Sequence, residues 1–465
     1  MARTSNGSVR MQAPLVGPES AYMGQVIVSL AAMFASLTLF IAGTSLLTTV
    51  VAVELGVDGL STLQVGLVLG CHSVGFVLGS LFATRLVRRV GQVRSFAAFA
   101  AVACSASLIH PLWFDGTLWA VLRVLVGFCA AGLIMVLESW ISGRATHAIR
   151  GALLGIYQVV FFFAAALGQY LVSLGETDDY PIYTIVAILI VMSLVPLALT
   201  RSEAPAPDTA DRLRFRQLYA LSPSGLLGGI AGGALVAGFS TLAPVYASGI
   251  GMSLGEVSRY MAFAVLATMA IQWPIGRLSD HFDRRLTVAA ISTIATLAGI
   301  AAAVVGAHDL RVLYVATAPL FGLAACLYPI SLSMINDNMD RGDPISASAG
   351  LLLAYGVGTC IGPVAGAVFM QSLGPAGLFV FLAGVFALYA LFVFWRGFTT
   401  PAVPVADQSR FVTIVAANTS PAILELDPRH ELYMETPHIF DELHTGPAPG
   451  VETDESSTNT DRPGV

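Results

Sequence analysis

Long apolar stretches alternate with short polar loops along almost the whole chain. A helix needs about 20 apolar residues to cross a hydrocarbon core of ~30 Å. Stretches of that length lie near residues 24–52, 62–83, 95–113, 117–142, 152–174, 181–200, 223–248, 256–275, 286–305, 311–335, 345–371 and 376–396. The pattern predicts an all-α membrane protein with twelve transmembrane helices. The third and fourth runs are divided only by a short turn at 114–116, and the ninth and tenth only at 306–310.

The first six runs repeat as the last six. Ala42-Gly43-Thr44-Ser45 recurs as Ala237-Gly238-Phe239-Ser240, a shift of 195. Gly79-Ser80-Leu81 recurs as Gly276-Arg277-Leu278, a shift of 197, and Gly151-Ala152-Leu153-Leu154 as Gly350-Leu351-Leu352-Leu353, a shift of 199. The matches keep their order and the offset drifts smoothly, which is the mark of a duplication. An even number of helices per half gives parallel repeats about an axis normal to the membrane. The expected organisation is a tail over 1–22, a six-helix bundle over 23–200, a linker over 201–222, a second bundle over 223–397 and a tail over 398–465.

Composition agrees with a lipid solvent. The chain is 56% hydrophobic and 11% charged, with a mean hydropathy of +0.77, whereas soluble domains carry roughly 25% charge. Every basic residue is arginine. One set of loops holds Arg85, Arg88, Arg89, Arg94, Arg144, Arg150, Arg201, Arg277, Arg284, Arg285 and Arg341; the alternate set carries Glu54, Asp58, Asp115, Glu176, Asp178 and Asp179. Basic loops stay inside, so both termini are expected in the cytoplasm. Residues 1–19 are polar and the run after them is too long for a signal-peptide core. It reads as a spanning helix that also directs insertion.

The tail departs from the rest. Residues 399–465 hold eleven acids and three arginines. Their charge of 3 − 11 = −8 accounts for the acidic total of −6 and leaves the membrane part near +2. The alternation in 410–424 predicts a short strand or two, and from 447 onward the composition predicts disorder. The tail reads as solvated rather than as a regulatory module.

Several chemistries find no support in the pattern. Cys71, Cys104, Cys129, Cys326 and Cys360 lie in apolar runs without metal-ligand spacing. Nothing in the pattern calls for a cofactor, a metal or nucleic acid. No Gly-x4-Gly-Lys-[Ser/Thr] phosphate loop exists, since there is no lysine. Neither a two-His set nor a Ser–His–Asp or paired-carboxylate arrangement at plausible depth suggests an enzyme.

Ionisable groups at membrane depth are costly and point to function. In the fourth run Glu138 lies near the arginine-loop end and Arg123 fifteen residues earlier, about 22 Å along the axis and on the same side of the helix. Arg123 either meets a substrate or coupling ion or snorkels to headgroups. His72 in the second run either carries a proton or is a neutral group bonded to a neighbour. Gln158, Gln169 and Gln272 bond either a substrate or another helix. Glycines recur every four residues in the second run (Gly66 and Gly70, Gly75 and Gly79), the seventh (Gly225, Gly229, Gly233) and the eleventh (Gly358, Gly362, Gly366). That step keeps them on one face, where backbones approach closely.

The most specific signal is Gly276-Arg-Leu-Ser-Asp280-His-Phe-Asp283-Arg284-Arg285 after the eighth run. It resembles the signature loop of the major facilitator superfamily, Gly-x-Leu-x-Asp-Arg-x-Gly-Arg-Arg, with departures at His281 and Asp283. The first-half copy keeps Gly79, Leu81, Arg85, Arg88 and Arg89 but has Ala83 where the aspartate belongs. Arg123-x3-Gly127 matches the fourth-helix motif of the same superfamily. Leu137-Glu138-Ser139-Trp140, Arg150-Gly151-x-Leu153-Leu154-x2-Tyr157 and Gly168-Gln169, with Arg89-x-Gly91-x2-Arg94, resemble its YcaD-type branch. The antiporter-type Gly-Pro motif is missing from the fifth run; a similar string, Gly358 to Gly366, stands in the eleventh.

The resemblance implies the major facilitator fold, two pseudo-symmetric six-helix bundles rocking about a central site. It implies a secondary active transporter, proton-coupled and monomeric, in a bacterial cytoplasmic (inner) membrane, moving a small molecule. Helices 1, 4, 7 and 10 would line the cavity, with Arg123, Thr44, Ser45, Thr48, Thr49, Ser240, Thr241, Tyr246 and Tyr328 as candidates beside His72. Gly79, Arg85, Arg88, Arg89 and Glu138 in one half, and Gly276, Asp280, Arg284, Arg285 and Asp337 in the other, would latch the cytoplasmic side when the outer side is open. The alternative is a transporter-like sensor that signals through the tail.

Overall fold

The computed structural model describes residues 18–57, 59–144, 149–175, 180–200, 213–339 and 344–399, together with Val403, Pro404, Gln408, Phe411, Val412, Ile414, Ser420, Ile423, Leu426 and Asp427 of the tail. The expected disorder from 447 onward lies outside them.

Among the described residues, twelve helices are long and apolar enough to cross a membrane. They are α1 (Pro18–Val57), α2 (Thr62–Val90), α3 (Gln92–Ile109), α4 (Gly116–Ser142), α5 (Arg150–Leu171), α6 (Tyr180–Met192, continued by Leu194–Ala198), α7 (Pro223–Gly249), α8 (Leu254–His281), α9 (Arg284–Val305), α10 (Leu310–Asn336), α11 (Pro344–Leu373) and α12 (Gly377–Thr399). The linker contributes a short helix, Phe215–Leu221. Helices are what lipid demands, because each satisfies its own backbone.

Where the chain leaves the hydrocarbon, polar side chains take over the unsatisfied amides. Ser61 and Gln64 cap α2 reciprocally, Asp115 accepts from Leu118 N at 2.7 Å to cap α4, and Asp309 accepts from Arg311 N at 2.8 Å to cap α10. Asp283, a departure from the signature loop, accepts from Arg285 N at 2.7 Å and caps α9.

The glycine stripes bring helix backbones into contact. A Cβ on Gly75 would stand 2.0 Å from the Val124 carbonyl oxygen, and one on Gly127 would stand 2.1 Å from that of His72. These two positions fix α2 against α4. The second half repeats the device between α7 and α11, where a Cβ on Gly358 would meet the Ile230 oxygen at 2.0 Å. Gly66 on α2 faces Pro363 and Ala367 on α11 and so joins the two halves.

The helices divide by environment. α4 and α7 are the most buried. α9 and α12 turn Leu286, Leu297, Val304, Leu388, Leu391 and Phe394 outward, the surface that lipid requires. The strand expected over 410–424 falls largely outside the described residues. Of the tail residues that are described, Val412, Ile414, Ser420, Ile423, Leu426 and Asp427 are buried rather than solvated. Apolar residues spaced along an acidic segment found a surface on the bundle to cover.

Replacing Gly127 by leucine is expected to drive the side chain into the α2 backbone and cost about 1–3 kcal/mol. The same change at Gly155, whose Cβ direction is open, is expected to be neutral. Thermal midpoints of the two variants in detergent make the comparison.

Candidate substrate cavity and gate

A cavity of about 960 Å³, its open part included, lies where the two halves face each other. Its wall comes from both. Thr44, Ser45 and Thr48 of α1, His72 of α2, and Phe161, Phe162 and Gln169 of α5 supply one side. Ser240 of α7, Met261, Thr268 and Gln272 of α8, Phe321 of α10 and Tyr355 of α11 supply the other. Among the described residues, none that lines the cavity is an acid or an arginine. The site is an aromatic and aliphatic box with hydroxyl and amide groups set into it.

Three of these hydroxyls are held by their own helices. Thr44 Oγ1 donates to Phe40 O at 3.1 Å, Thr48 Oγ1 to Thr44 O at 2.9 Å, and Thr268 Oγ1 to Ala264 O at 2.9 Å. Back-bonding of this kind makes a hydroxyl tolerable in lipid while its lone pairs still face the cavity. Gln169 does more. Its Nε2 donates to Ser45 Oγ at 2.9 Å and its Oε1 accepts from Thr49 at 2.7 Å. Its backbone oxygen accepts from Ser258 Oγ of α8 at 2.7 Å. One residue thus orders α1 against α5 and ties the first half to the second at the acidic-loop end. Gln169 and Gln272 both reach the cavity, whereas Gln158 is buried away from it.

Not every expected residue reaches the cavity. Tyr328 is buried, its hydroxyl 3.5 Å from Ser348 O, and it presents its ring edge to Tyr355. Tyr246 packs edge-on against Phe379. Thr241 bonds Ala237 O at 2.6 Å. Arg123 is fully buried, so it does not snorkel, and it lies outside the cavity wall. Its guanidinium nitrogens have no hydrogen-bond partner among the described residues. Of the helices expected to line the cavity, α1, α7 and α10 do so, and among the described residues none of α4 does. The glycine contacts draw it behind α2, and α2, α5, α8 and α11 fill the place. His72 does line the cavity, and its Nδ1 is buried without a partner among the described residues. Phe161, Phe162, Phe321 and Tyr355 were not among the expected site residues. Aromatic residues in apolar runs carry no signal of which way they face.

The second cluster sits at the arginine-rich end. Arg284 at the start of α9 pairs with Asp337 beyond α10 at 2.7 Å, both side chains 3% exposed. In the first half Arg85, Arg88 and Arg89 are exposed, and Ala83 is buried where the aspartate would stand. Glu138 is fully buried. Its carboxylate accepts from Tyr157 Oη at 2.5 Å and from the Ser420 backbone N and Oγ at 2.6 and 2.5 Å. Asp280 accepts from Phe411 N at 2.7 Å, and the Phe411 ring lies over Gly276, where a Cβ would meet it at 2.5 Å. The tail therefore reaches both copies of the expected gate. Sequence spacing gave no hint of this, because 282 residues separate Ser420 from Glu138.

Known proteins share this architecture. The family model described as Major Facilitator Superfamily matches residues 28–301 and 260–424. The MFS-type transporter YcaD of Shigella flexneri serotype 5b is 30% identical over 379 residues, covering 79% of this chain and 96% of its own. An MFS-type transporter of Yersinia pestis (strain Pestoides F) is 28% identical over 386 residues, covering 80% and 96%. Among solved structures, a bacterial homolog of the human lysosomal transporter Spinster superposes with a TM-score of 0.67 at 17% identity, covering 84% of this chain and 99% of that one. The nucleoside transporter NupG gives 0.62 at 15% identity, covering 81% and 99%. With its twelve spanning helices and a family match over most of its length, the chain belongs to the major facilitator superfamily and is a multi-pass membrane transporter.

Proposed function

We propose that the protein is a secondary active transporter that carries a small neutral molecule through the cavity between its halves by alternating access. The observation that carries this is the cavity wall, which is drawn from both halves and, among the described residues, holds no acid or arginine. A charged substrate entering it would leave water without meeting a counter-charge, at a cost of several kcal/mol. A molecule with an apolar or aromatic body and a few hydroxyl or amide groups fits the wall. Phe161, Phe162, Phe321 and Tyr355 would take the body, and Thr44, Thr48, Ser240, Gln169 and Gln272 the polar edge. The hydrogen bonds from Ser258 of the second half to the Gln169 and Tyr170 carbonyls of the first lie at the acidic-loop end. With arginine loops inside, that end faces out, the termini face the cytoplasm, and the membrane is the bacterial inner membrane. Coupling to protons is proposed through His72, the imidazole in the wall. The Arg284–Asp337 pair, together with the acids Glu138 and Asp280 and the arginines Arg85, Arg88, Arg89 and Arg285, is proposed as the cytoplasmic gate.

A thermal-shift screen of neutral metabolites and drugs against the purified protein tests the substrate class. A ligand at 100 times its Kd is expected to stabilise the folded state by about 2.7 kcal/mol. The shift should vanish in Ser240→Trp, which fills the cavity, and persist in Tyr328→Phe. Hits confined to anions would overturn the neutral class and return Arg123 to the site.

The gate has its own test. Arg284→Ala removes the cation beside buried Asp337 and is expected to cost about 3–5 kcal/mol. The double change Arg284→Leu with Asp337→Leu should recover most of that loss in the thermal midpoint. Uptake of a screened ligand into proteoliposomes should stay impaired in the double variant, which a purely structural pair would not require.

A further inference from the structure

The tail segment after α12 touches both halves at the same end. On the second half, the Phe411 amide binds Asp280 and the Phe411 ring seats on Gly276. Val403 and Gln408 border a small pocket with Arg284, Arg285 and Asp337. On the first half, Ser420 gives two hydrogen bonds to one oxygen of Glu138. Val412, Ile414, Ile423 and Leu426 are buried within the main hydrophobic cluster. Ordering such a segment costs conformational entropy at every residue, and here apolar burial and bonds to two carboxylates offset it.

From this juxtaposition we infer that the tail is an internal clamp: docked, it holds the two halves in one relative arrangement at the arginine-rich end, and transport requires its release. Rocking moves the ends of α4 and α8 relative to each other. Ser420 lies nine positions after Phe411, so the chain between the two anchors spans at most ~30 Å. The anchors also occupy the carboxylates with which the gate would act. Both oxygens of Glu138 are taken, one by Tyr157 and the other by Ser420. Gate closure through Glu138 and Asp280 competes with the docked tail for the same acceptors. The inference rests on the alternating-access reading but not on any substrate, so its test reads conformation rather than transport.

Hydrogen exchange of the full chain in lipid nanodiscs provides that test. Ser420→Asp sets a carboxylate against Glu138, and Phe411→Ala empties the seat on Gly276. Losing a hydrogen bond to a charged acceptor shifts a docking equilibrium by about tenfold or more. The decisive readout is the opposite end of the bundle, around the Gln169–Ser258 contact of α5 and α8, which none of the described tail residues touches. There, exchange should accelerate by about the same factor in both variants, because a released bundle samples the arrangement open at that end. A reversible lock guards against misfolding. Gly276→Cys with Phe411→Cys, made with the five native cysteines replaced, sets two thiols at the point where the Phe411 ring meets Gly276. Oxidised, it should show slow exchange at the far end; reduced, fast. Faster exchange confined to the tail and its dock, with the far end unchanged in every form, would overturn the clamp and leave only a local cover.

Discussion

A backbone amide in hydrocarbon has no water to bond, and this one constraint shapes most of the molecule. It forces helices, since a helix alone satisfies its own backbone within a single segment. It also removes the hydrophobic drive between helices, because lipid tails are as apolar as side chains. Close approach has to do that work. Gly75 and Gly127 let α2 and α4 meet backbone to backbone, and Gly358 lets α11 meet α7. Hydroxyls survive in such an interior by bonding back to their own helix, as Thr44, Thr48 and Thr268 do. The same rule makes a lone buried arginine at position 123 conspicuous.

The cavity follows from this packing rather than from any dedicated motif. Once α4 is drawn behind α2, the space between the halves is walled by α1, α2 and α5 on one side and α7, α8, α10 and α11 on the other. Aromatic rings supply surface, and threonine, serine and glutamine supply bonding groups without charge. Gln169 shows how one side chain serves two ends. Its amide orders α1, its carbonyl anchors α8, and it still borders the cavity.

The arginine-rich end is less symmetric than the fold. The second half keeps the signature aspartate and closes a buried Arg284–Asp337 pair. The first half has Ala83 in that place, and its acid, Glu138, is satisfied by Tyr157 and by the tail. A segment outside the duplicated bundles thus completes a site that duplication left unequal. Gly276, which the signature explains as a point of helix approach, here admits the ring of Phe411.

Much of this was legible in the sequence. Twelve apolar runs, the glycine stripes and the signature loop each depend on neighbours within one or two helical turns. Local physics decides them, so local pattern reports them. Thr44, Thr48, Ser240 and His72 were also marked, because a polar group in an apolar run stands out against its surroundings. What the sequence could not carry was direction and long-range contact. Whether Arg123, Tyr328 or Tyr355 faces the cavity depends on how each helix rotates about its axis. That rotation is set by glycine contacts with a partner helix many residues away. The burial of Val412, Ile414, Ile423 and Leu426 against the bundle was hidden for the same reason. An acidic, weakly alternating segment reads as solvent-facing until a bundle end offers Gly276, Asp280 and Glu138 to receive it. Local periodicity determined the helices and their number; only the tertiary structure decided what they face, because facing is a property of pairs of surfaces and not of a single chain segment.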